Sequence, residues 1–149
     1  MPDLSGLPLG KYTLDRRLGR GGMAEVCQAF QPGLDRHVAI KILHAHLADQ
    51  GDFVTRFKRE AQAVAQLHHP HIVQVFDFDA QADQHYMVME YIEGRTLKEV
   101  LDNHFQRGER LPIPEALRIL QALLQAVGYA HQHEQQVSAH HLRRLHRAL

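Results

Sequence analysis

The amino-acid sequence predicts an α+β fold, with a mostly antiparallel sheet in the first half of the chain and helices in the second half. Short segments of strand-type residues, rich in β-branched and aromatic side chains and bounded by turn residues, occur before residue 92, whereas apolar residues at helical spacing dominate after residue 95. The 149 residues are 44% hydrophobic and 23% charged, which is the composition of an ordinary globular domain.

Five strands are expected in the first half. A glycine cluster, Gly19–Gly22, ends the first of them, and Pro32-Gly33 makes a turn after the second. In the third strand Ala39 and Lys41 share one face, since successive side chains of a strand point to opposite sides. The predicted strands are Tyr12–Leu18, Val26–Phe30, His37–Leu43, Ile72–Phe78 and His85–Tyr91.

One helix is expected within this sheet region, over Asp52–Leu67. Its apolar stripe has helical spacing, and Pro70 drives the residue before it into an extended conformation, so the helix cannot continue past His69. The stripe consists of Phe53, Phe57, Ala61, Val64 and Leu67.

Two helices are expected in the second half. Thr96 and Glu99 have the spacing of a capping box, in which each side chain binds the backbone amide of the other residue. Pro114 suits the first turn of a helix over Glu115–His131. The apolar stripe of this helix is so wide that we expect it to be buried against other elements of a larger domain. It contains Leu117, Leu120, Leu124 and Val127, flanked by Ile119, Leu123, Ala126 and Ala130.

Charge and cysteine content argue against several classes of protein. Seventeen basic side chains balance seventeen acidic ones, whereas a nucleic-acid-binding protein normally carries an excess of Lys and Arg. The single cysteine, Cys27, excludes an intramolecular disulfide and fits a reducing compartment. No apolar run is long enough to cross a bilayer, and residues 1–10 lack the pattern of a secretory signal. We therefore expect a cytoplasmic domain that binds neither membrane nor nucleic acid.

The glycine cluster continues into Met23-Ala24 and matches the loose pattern G-x-G-x-x-G/A. Two phosphate-binding structures use this pattern: a strand-to-helix turn that binds dinucleotides, and a hairpin between antiparallel strands. Too few residues separate Ala24 from Pro32 for the dinucleotide-binding helix, which favours the hairpin. From the loop alone, a hairpin without any ligand remains an equally good interpretation.

Lys41 and Glu60 strengthen the phosphate-binding interpretation. Lys41 lies inside an apolar strand, and Glu60 lies on the apolar stripe of the helix that follows. Either charge alone could reach solvent from the edge of the core, but a pair removes most of the cost of burying both. We therefore predict that the two side chains form an ion pair beside the glycine hairpin.

In these segments the sequence resembles the protein kinase family, in particular the bacterial serine/threonine kinases of eukaryotic type. The resemblance covers about residues 11–131 and is specific because the segments occur together in one order and spacing. They are Leu18–Val26, Val38–Lys41, Phe57–Glu60, Leu67–Val73 and Tyr86–Tyr91.

The resemblance implies a kinase small lobe, made of a five-stranded antiparallel sheet and one helix, followed by the first helices of a large lobe. It implies Lys41 and Glu60 as catalytic residues, with Lys41 holding the α- and β-phosphates of ATP and Glu60 orienting Lys41. Val26 and Ala39 would lie above the adenine, Met89 would be the gatekeeper, and the Glu90 carbonyl and Ile92 amide would bind adenine. The implied ATP-binding residues are Leu18, Gly19, Arg20, Gly21, Gly22, Met23, Ala24, Val26, Ala39, Lys41, Met89, Glu90, Tyr91 and Ile92.

The sequence departs from the family in two places. Ala24 replaces the third glycine, which is tolerable if its φ stays negative. The catalytic His-Arg-Asp, the asparagine after it and the Asp-Phe-Gly metal ligand are absent, so Mg²⁺ has no side-chain ligands. The family would have His-Arg-Asp near residues 137–139, where this chain has Val-Ser-Ala.

We therefore expect a truncated kinase, ended by a frameshift or an early stop, that is catalytically inactive by itself. The expected partners are ATP and a protein substrate or another kinase chain. The expected divisions are an N-terminal extension (1–10), a small lobe with hinge (11–93), helices of an incomplete large lobe (94–134) and a basic, histidine-rich tail (135–149). The main alternative is a non-catalytic kinase-like module that docks on a partner through its helical face.

Two further interpretations are less favoured. The thirteen histidines suggest a metal site, but neither the group His68, His69 and His71 nor the later histidines have Cys or acidic residues at zinc-binding spacing. Cys27 lies in a predicted strand, where packing is a better explanation than nucleophilic chemistry.

Overall fold

The structure is a computed structural model and describes residues 5–133. Its sheet has six strands in the order β1-β2-β3-β4-β6-β5, and every neighbouring pair is antiparallel. The strands are β1 (Pro8–Leu9), β2 (Tyr12–Arg20), β3 (Ala24–Gln31), β4 (Arg36–Leu43), β5 (Val75–Gln81) and β6 (Gln84–Glu90). The helices are α1 (Ala45–Ala48), α2 (Gly51–Ala65), α3 (Leu97–Gln106) and α4 (Ile113–Gln132).

The sixth strand is β1, which the sequence analysis did not predict. Gly10 turns the chain with a φ of +57°, so that Pro8 and Leu9 pair with Thr13 and Tyr12. A Cβ atom on Gly10 would lie 2.5 Å from the hydroxyl oxygen of Tyr86, so packing also requires glycine here. Two residues are too short for an alternating pattern to be recognised in the sequence.

The fourth predicted strand begins later in the structure than expected. Ile72 and Val73 lie outside the sheet, because the amide of Ile72 donates to the carbonyl of His69 (3.0 Å) in a turn. Strand β5 instead continues to Gln81, and β6 begins at Gln84. Residues 79–84, which lie between the two predicted strands, are therefore mostly strand.

The two faces of β4 point into different cores within the first part of the molecule. Val38, Ile40 and Ile42 lie in a cluster with Cys27 and Tyr86 on one side of the sheet. Leu43, on the opposite face, belongs to a second cluster that includes residues of α2. The alternation predicted for this strand is confirmed.

Helix α2 packs its apolar stripe against this second face of the sheet. Phe57 and Ala61 are fully buried in the cluster, and Phe53 and Val64 are partly buried against it. The helix ends at Ala65, two residues before the predicted end, since the chain has to become extended ahead of Pro70. The single turn α1 has too few residues to give a periodic signal.

The second half is helical, as predicted. Thr96 caps α3 with a capping box, in which Oγ1 of Thr96 accepts from the amide of Glu99 (3.2 Å) and Oε2 of Glu99 accepts from the amide of Thr96 (2.6 Å). Pro114 lies in the first turn of α4. Both N-terminal signals are thus confirmed.

The apolar stripe of α4 is only partly covered. Ala126 and Ala130 are buried, whereas Leu117, Leu120 and Leu124 are 58%, 50% and 63% exposed. Near the end of α4, the hydroxyl of Tyr129 accepts from the amide of His68 (3.2 Å).

The described chain forms two compact units. One contains the residues up to Ala65 together with Gln74–Tyr91, and the other contains Gln66–Val73 together with the residues from Ile92 onwards. Within residues 5–133 no helix is both long and apolar enough to cross a membrane. The tail that begins at residue 135 lies outside the described residues.

Candidate functional site

The glycine cluster forms a hairpin between two antiparallel strands. Gly19 pairs with Val26 across the β2–β3 ladder, and the amide of Gly21 donates to the carbonyl of Ala24 (2.8 Å) to close the turn. Strand β3 follows at once. A dinucleotide-binding turn would continue into a helix instead, so this hairpin excludes the dinucleotide-binding arrangement.

Neither the backbone nor internal packing requires glycine in this hairpin. A Cβ atom on Gly19 or Gly22 would meet no heavy atom within 4 Å, and one on Gly21 would meet only the Ala24 carbonyl at 3.5 Å. None of the three has a positive φ. The missing side chains leave open space beside the hairpin backbone, which is what close approach of a ligand needs.

Ala24, where the family has its third glycine, fits the same hairpin. It is 6% exposed and is not among the residues with positive φ. Its methyl group belongs to the cluster between the sheet and α2. The condition for tolerating alanine at this position is therefore met.

Lys41 and Glu60 meet on the α2 side of the sheet. The distance from Nζ of Lys41 to Oε1 of Glu60 is 2.5 Å, and their side chains are only 13% and 12% exposed. The Lys41 ammonium also lies 5.4 Å from the centre of the Phe57 ring. The strand–helix contact therefore holds a positive charge at a defined place in a largely water-excluded environment.

Several of the other predicted residues share this face of the sheet. Val26 lies opposite Lys41 on the neighbouring strand, and Ala39 lies opposite Met89. Since directly opposed residues of an antiparallel pair point to the same side, these four side chains line one surface next to the hairpin. A surface of small and apolar side chains that also carries an ammonium group suits a ligand with an apolar ring and anionic groups.

The remaining predicted residues lie at the ends of these strands. Leu18 is 39% exposed on β2, and Arg20 and Met23 flank the hairpin turn. The amide of Glu90 donates to the carbonyl of Gln74 (2.9 Å), and the hydroxyl of Tyr91 accepts from Arg16 (3.3 Å). Ile92, 49% exposed, belongs to the second compact unit.

Two polar residues beside this surface were not predicted from the sequence. Arg16 donates to Oε1 of Gln28 (2.9 Å) as well as to Tyr91, and Nε2 of His44 lies 2.9 Å from the carbonyl oxygen of Gly21. Both contacts join segments that are distant in the chain. No local pattern distinguishes Arg16 or His44 from any other surface residue, so only the fold could reveal them.

The histidines and the cysteine lie elsewhere. Among the described residues no group of three or more His, Cys, Asp or Glu side chains is placed to hold a metal ion. The ring of His69 instead packs 5.1 Å from that of Tyr129. Cys27 is fully buried, and this burial, together with the nearby charge of Glu25, raises the pKa of its thiol. A thiol that resists ionisation is a packing residue, as the sequence indicated.

Comparison with known proteins agrees with this geometry. The family model described as the protein kinase domain matches residues 12–140. The serine/threonine-protein kinase PrkC of Bacillus subtilis is 44% identical over 125 residues, which are 84% of this chain and 19% of PrkC. PksC of Streptomyces coelicolor is 45% identical over 128 residues, or 83% of this chain and 23% of PksC.

A solved structure shows the same fold. The crystal structure of the Mycobacterium tuberculosis PknI kinase domain has a TM-score of 0.71 and 35% sequence identity, and the match covers 87% of this chain and 51% of that one. The chain thus spans about a fifth of the length of PrkC and PksC and about half of the PknI kinase domain. It belongs to the protein kinase family, among the bacterial serine/threonine kinases, and carries the N-terminal part of the kinase domain.

Proposed function

We propose that this chain carries the ATP-binding small lobe of a serine/threonine protein kinase. The Lys41–Glu60 ion pair beside the glycine hairpin is the observation that carries the proposal. A positive charge held in a poorly hydrated environment binds phosphate more strongly than one that is free in water. The open space along the hairpin allows its backbone to approach such an anion closely.

The residues around the ion pair have defined roles in this proposal. Lys41 binds the α- and β-phosphates, and Glu60 holds the lysine in position. The hairpin residues Gly19, Gly21 and Ala24 cover the phosphates. Val26 and Ala39 offer an apolar surface to the adenine ring.

The end of β6 supplies the remaining contacts. Met89 is the gatekeeper, and its partly buried side chain packs against the cluster beside α2. The Glu90 carbonyl accepts from adenine and the Ile92 amide donates to it, as in the family that the chain resembles. Because the Glu90 amide is already bonded to Gln74, only the Glu90 carbonyl is assigned to the nucleotide.

Binding of a fluorescent ATP analogue to the 149-residue chain tests this assignment. We expect saturable binding that weakens by at least about tenfold in Lys41→Met, because a charge-assisted phosphate contact is lost. Lys58→Met is the matched control, since Lys58 is an exposed lysine on the same helix as Glu60. Equal affinities for the wild type and Lys41→Met would contradict the proposal.

Phosphoryl transfer needs groups that this sequence does not contain. No aspartate occurs after Asp102, so the residues present do not fit the Mg²⁺ ions or the catalytic base that the family uses. We therefore propose that the 149-residue chain by itself does not transfer phosphate, and we assign no catalytic step to it. Incubation with γ-labelled ATP, Mg²⁺ or Mn²⁺ and a basic protein substrate tests this. Phosphate transfer by the wild type that is lost in Lys41→Met would contradict the proposal that the chain is inactive.

A second candidate function is docking on another protein chain, such as a full kinase. The observation in its favour is the row of exposed leucines on α4, namely Leu117, Leu120 and Leu124. An apolar row of this kind on a helix promotes association. Size-exclusion chromatography with light scattering tests this candidate, and a soluble monomer at high concentration would count against it.

A further inference from the structure

His44 is the residue that ties the glycine hairpin to the rest of the small lobe. It follows β4 directly and occupies the N-cap position of α1, but its side chain makes no capping hydrogen bond. The ring Nε2–H instead donates to the carbonyl of Gly21 (2.9 Å), since a carbonyl oxygen can only accept. The backbone amide of His44 donates to the carbonyl of Met23 (3.0 Å). One residue thus holds two carbonyl groups of the hairpin.

The contact with Gly21 fixes a peptide plane that is otherwise easy to rotate. Peptide groups are planar, and no described bond is cis, so the carbonyl of Gly21 and the amide of Gly22 point in opposite directions. Glycine stands on both sides of this peptide bond, and glycine has few steric barriers to backbone rotation. While the ring of His44 holds the carbonyl, the amide of Gly22 points away from His44.

The direction of this peptide decides whether the hairpin attracts or repels an anion. An amide N–H group facing a phosphate donates to it, whereas a carbonyl oxygen turned the same way repels it. We propose that His44 is a positioning residue, which holds the Gly21–Gly22 peptide so that the hairpin keeps a carbonyl turned away from the nucleotide phosphates. This inference rests on the proposed function of the hairpin as a phosphate-binding element.

The surroundings of His44 suit this role. Its ring is half-buried and stacks on that of His46, with 5.6 Å between the ring centres and 16° between the ring planes. Stacking restricts the rotation of the His44 side chain, so less freedom is lost when the bond to Gly21 forms. Glutamine places a side-chain amide donor at nearly the same distance from the backbone as Nε2 of histidine, and can therefore replace the bond.

The test compares His44→Ala, His44→Gln and His46→Ala with the wild type in two measurements. The first is hydrogen exchange at the Gly21 amide, whose bond to Ala24 closes the hairpin, without nucleotide. The second is the affinity for the fluorescent ATP analogue. We expect His44→Ala to speed exchange and to weaken binding by about 3- to 10-fold. His44→Gln should restore both, and His46→Ala should have a smaller effect than His44→Ala, because it removes only the stacking partner of the His44 ring.

The two measurements separate this inference from the proposed function. Unchanged Gly21 exchange in His44→Ala, or a His44→Gln variant as impaired as His44→Ala, overturns the role of His44. Wild-type affinity in His44→Ala overturns its effect on phosphate binding. If the wild type itself binds no nucleotide, the proposed function fails, and the exchange data still decide whether His44 holds the hairpin. Circular dichroism of each variant shows whether the chain remains folded.

Discussion

At the scale of single residues, the Lys41–Glu60 pair combines two opposing effects. Each side chain loses most of its hydration, and the contact at 2.5 Å compensates for that loss only while both charges are present. The ring of Phe57 adds a favourable interaction with the ammonium group. The intact pair therefore adds less to the free energy of unfolding than is lost when one of its two charges is removed.

A double-mutant cycle should show this coupling. We expect Lys41→Met and Glu60→Leu each to lower the free energy of unfolding of the first unit by about 3 kcal/mol, because each leaves an uncompensated charge. The double variant should lose clearly less than the sum. Hydrogen exchange of the Ile40 and Ile42 amides measures these free energies, with Lys58→Met as the control. Strictly additive losses would contradict the coupling.

Tyr86 makes the stability of the first unit depend on pH in the alkaline range. The side chain is 1% exposed, and burial, followed by the nearby charge of Asp79, raises the pKa of its hydroxyl to about 12. Its hydroxyl also lies against Gly10, where even a methyl group would collide. The folded state therefore holds the phenolic proton more tightly than the unfolded state, in which the pKa is about 10.

Stability that depends on this proton should disappear at high pH. The contribution is complete below pH 10 and is lost as the pH rises from about 10 to about 12, on the order of 2–3 kcal/mol in total. Unfolding experiments across this range should show the loss in the wild type and a flatter profile in Tyr86→Phe. Identical profiles for the two proteins would show that another group is responsible.

At the scale of single elements, the capping box of α3 shows how local sequence determines a helix start. Thr96 and Glu99 satisfy one another's backbone amides without any tertiary contact. Hydrogen bonds from the backbone and side chain of Thr96 lower the pKa of Glu99. The ionised cap is thus present at neutral pH and is lost as the pH falls through this lowered pKa.

Removal of the cap should weaken only the first turn of α3. We expect Thr96→Ala to cost about 1 kcal/mol of local stability. Hydrogen exchange at the Glu99 and Val100 amides should become faster, while exchange in the sheet stays the same. Thr55→Ala is the control, since Thr55 is exposed within α2 and does not cap a helix. Equal exchange in wild type and Thr96→Ala would show that the cap contributes little.

The elements that were not predicted from the sequence depend on contacts between distant segments or on unusual turns. Strand β1 exists because Gly10 reverses the chain under Tyr86, a residue far away in the sequence. The hairpin between β5 and β6 turns through Ala82 and Asp83 with φ values of 46° and 62°. Alanine is uncommon in that conformation, so the two-residue turn had no recognisable signal in the sequence.

At the scale of the whole molecule, the two compact units bury their apolar residues unequally. The first unit has two clusters, one on each face of its sheet. In the second unit the leucine row of α4, Leu117, Leu120 and Leu124, remains at least half exposed. Such a row lowers solubility and favours self-association.

Polar substitution of this row should change association and leave the helix intact. We expect the triple variant Leu117→Gln, Leu120→Gln and Leu124→Gln to reduce self-association of the chain at high concentration. Light scattering measures the average mass, and circular dichroism measures the helix content. Ile119→Gln provides a contrast on the same helix. Ile119 is half-buried, so its replacement should lower the helix content, whereas the triple variant should not. A triple variant that associates like the wild type would show that another surface is responsible.

The sequence by itself determined the fold class, the glycine hairpin and the Lys41–Glu60 ion pair beside it. These follow from local patterns: alternation in β4, helical spacing in α2, the capping box of α3, and two charges on otherwise apolar faces. Only the tertiary structure decided that Pro8 and Leu9 join the sheet, that His44 contacts the glycine hairpin and that Arg16 contacts Tyr91. Those features depend on distances between segments far apart in the chain, and such distances exist only once the chain has folded.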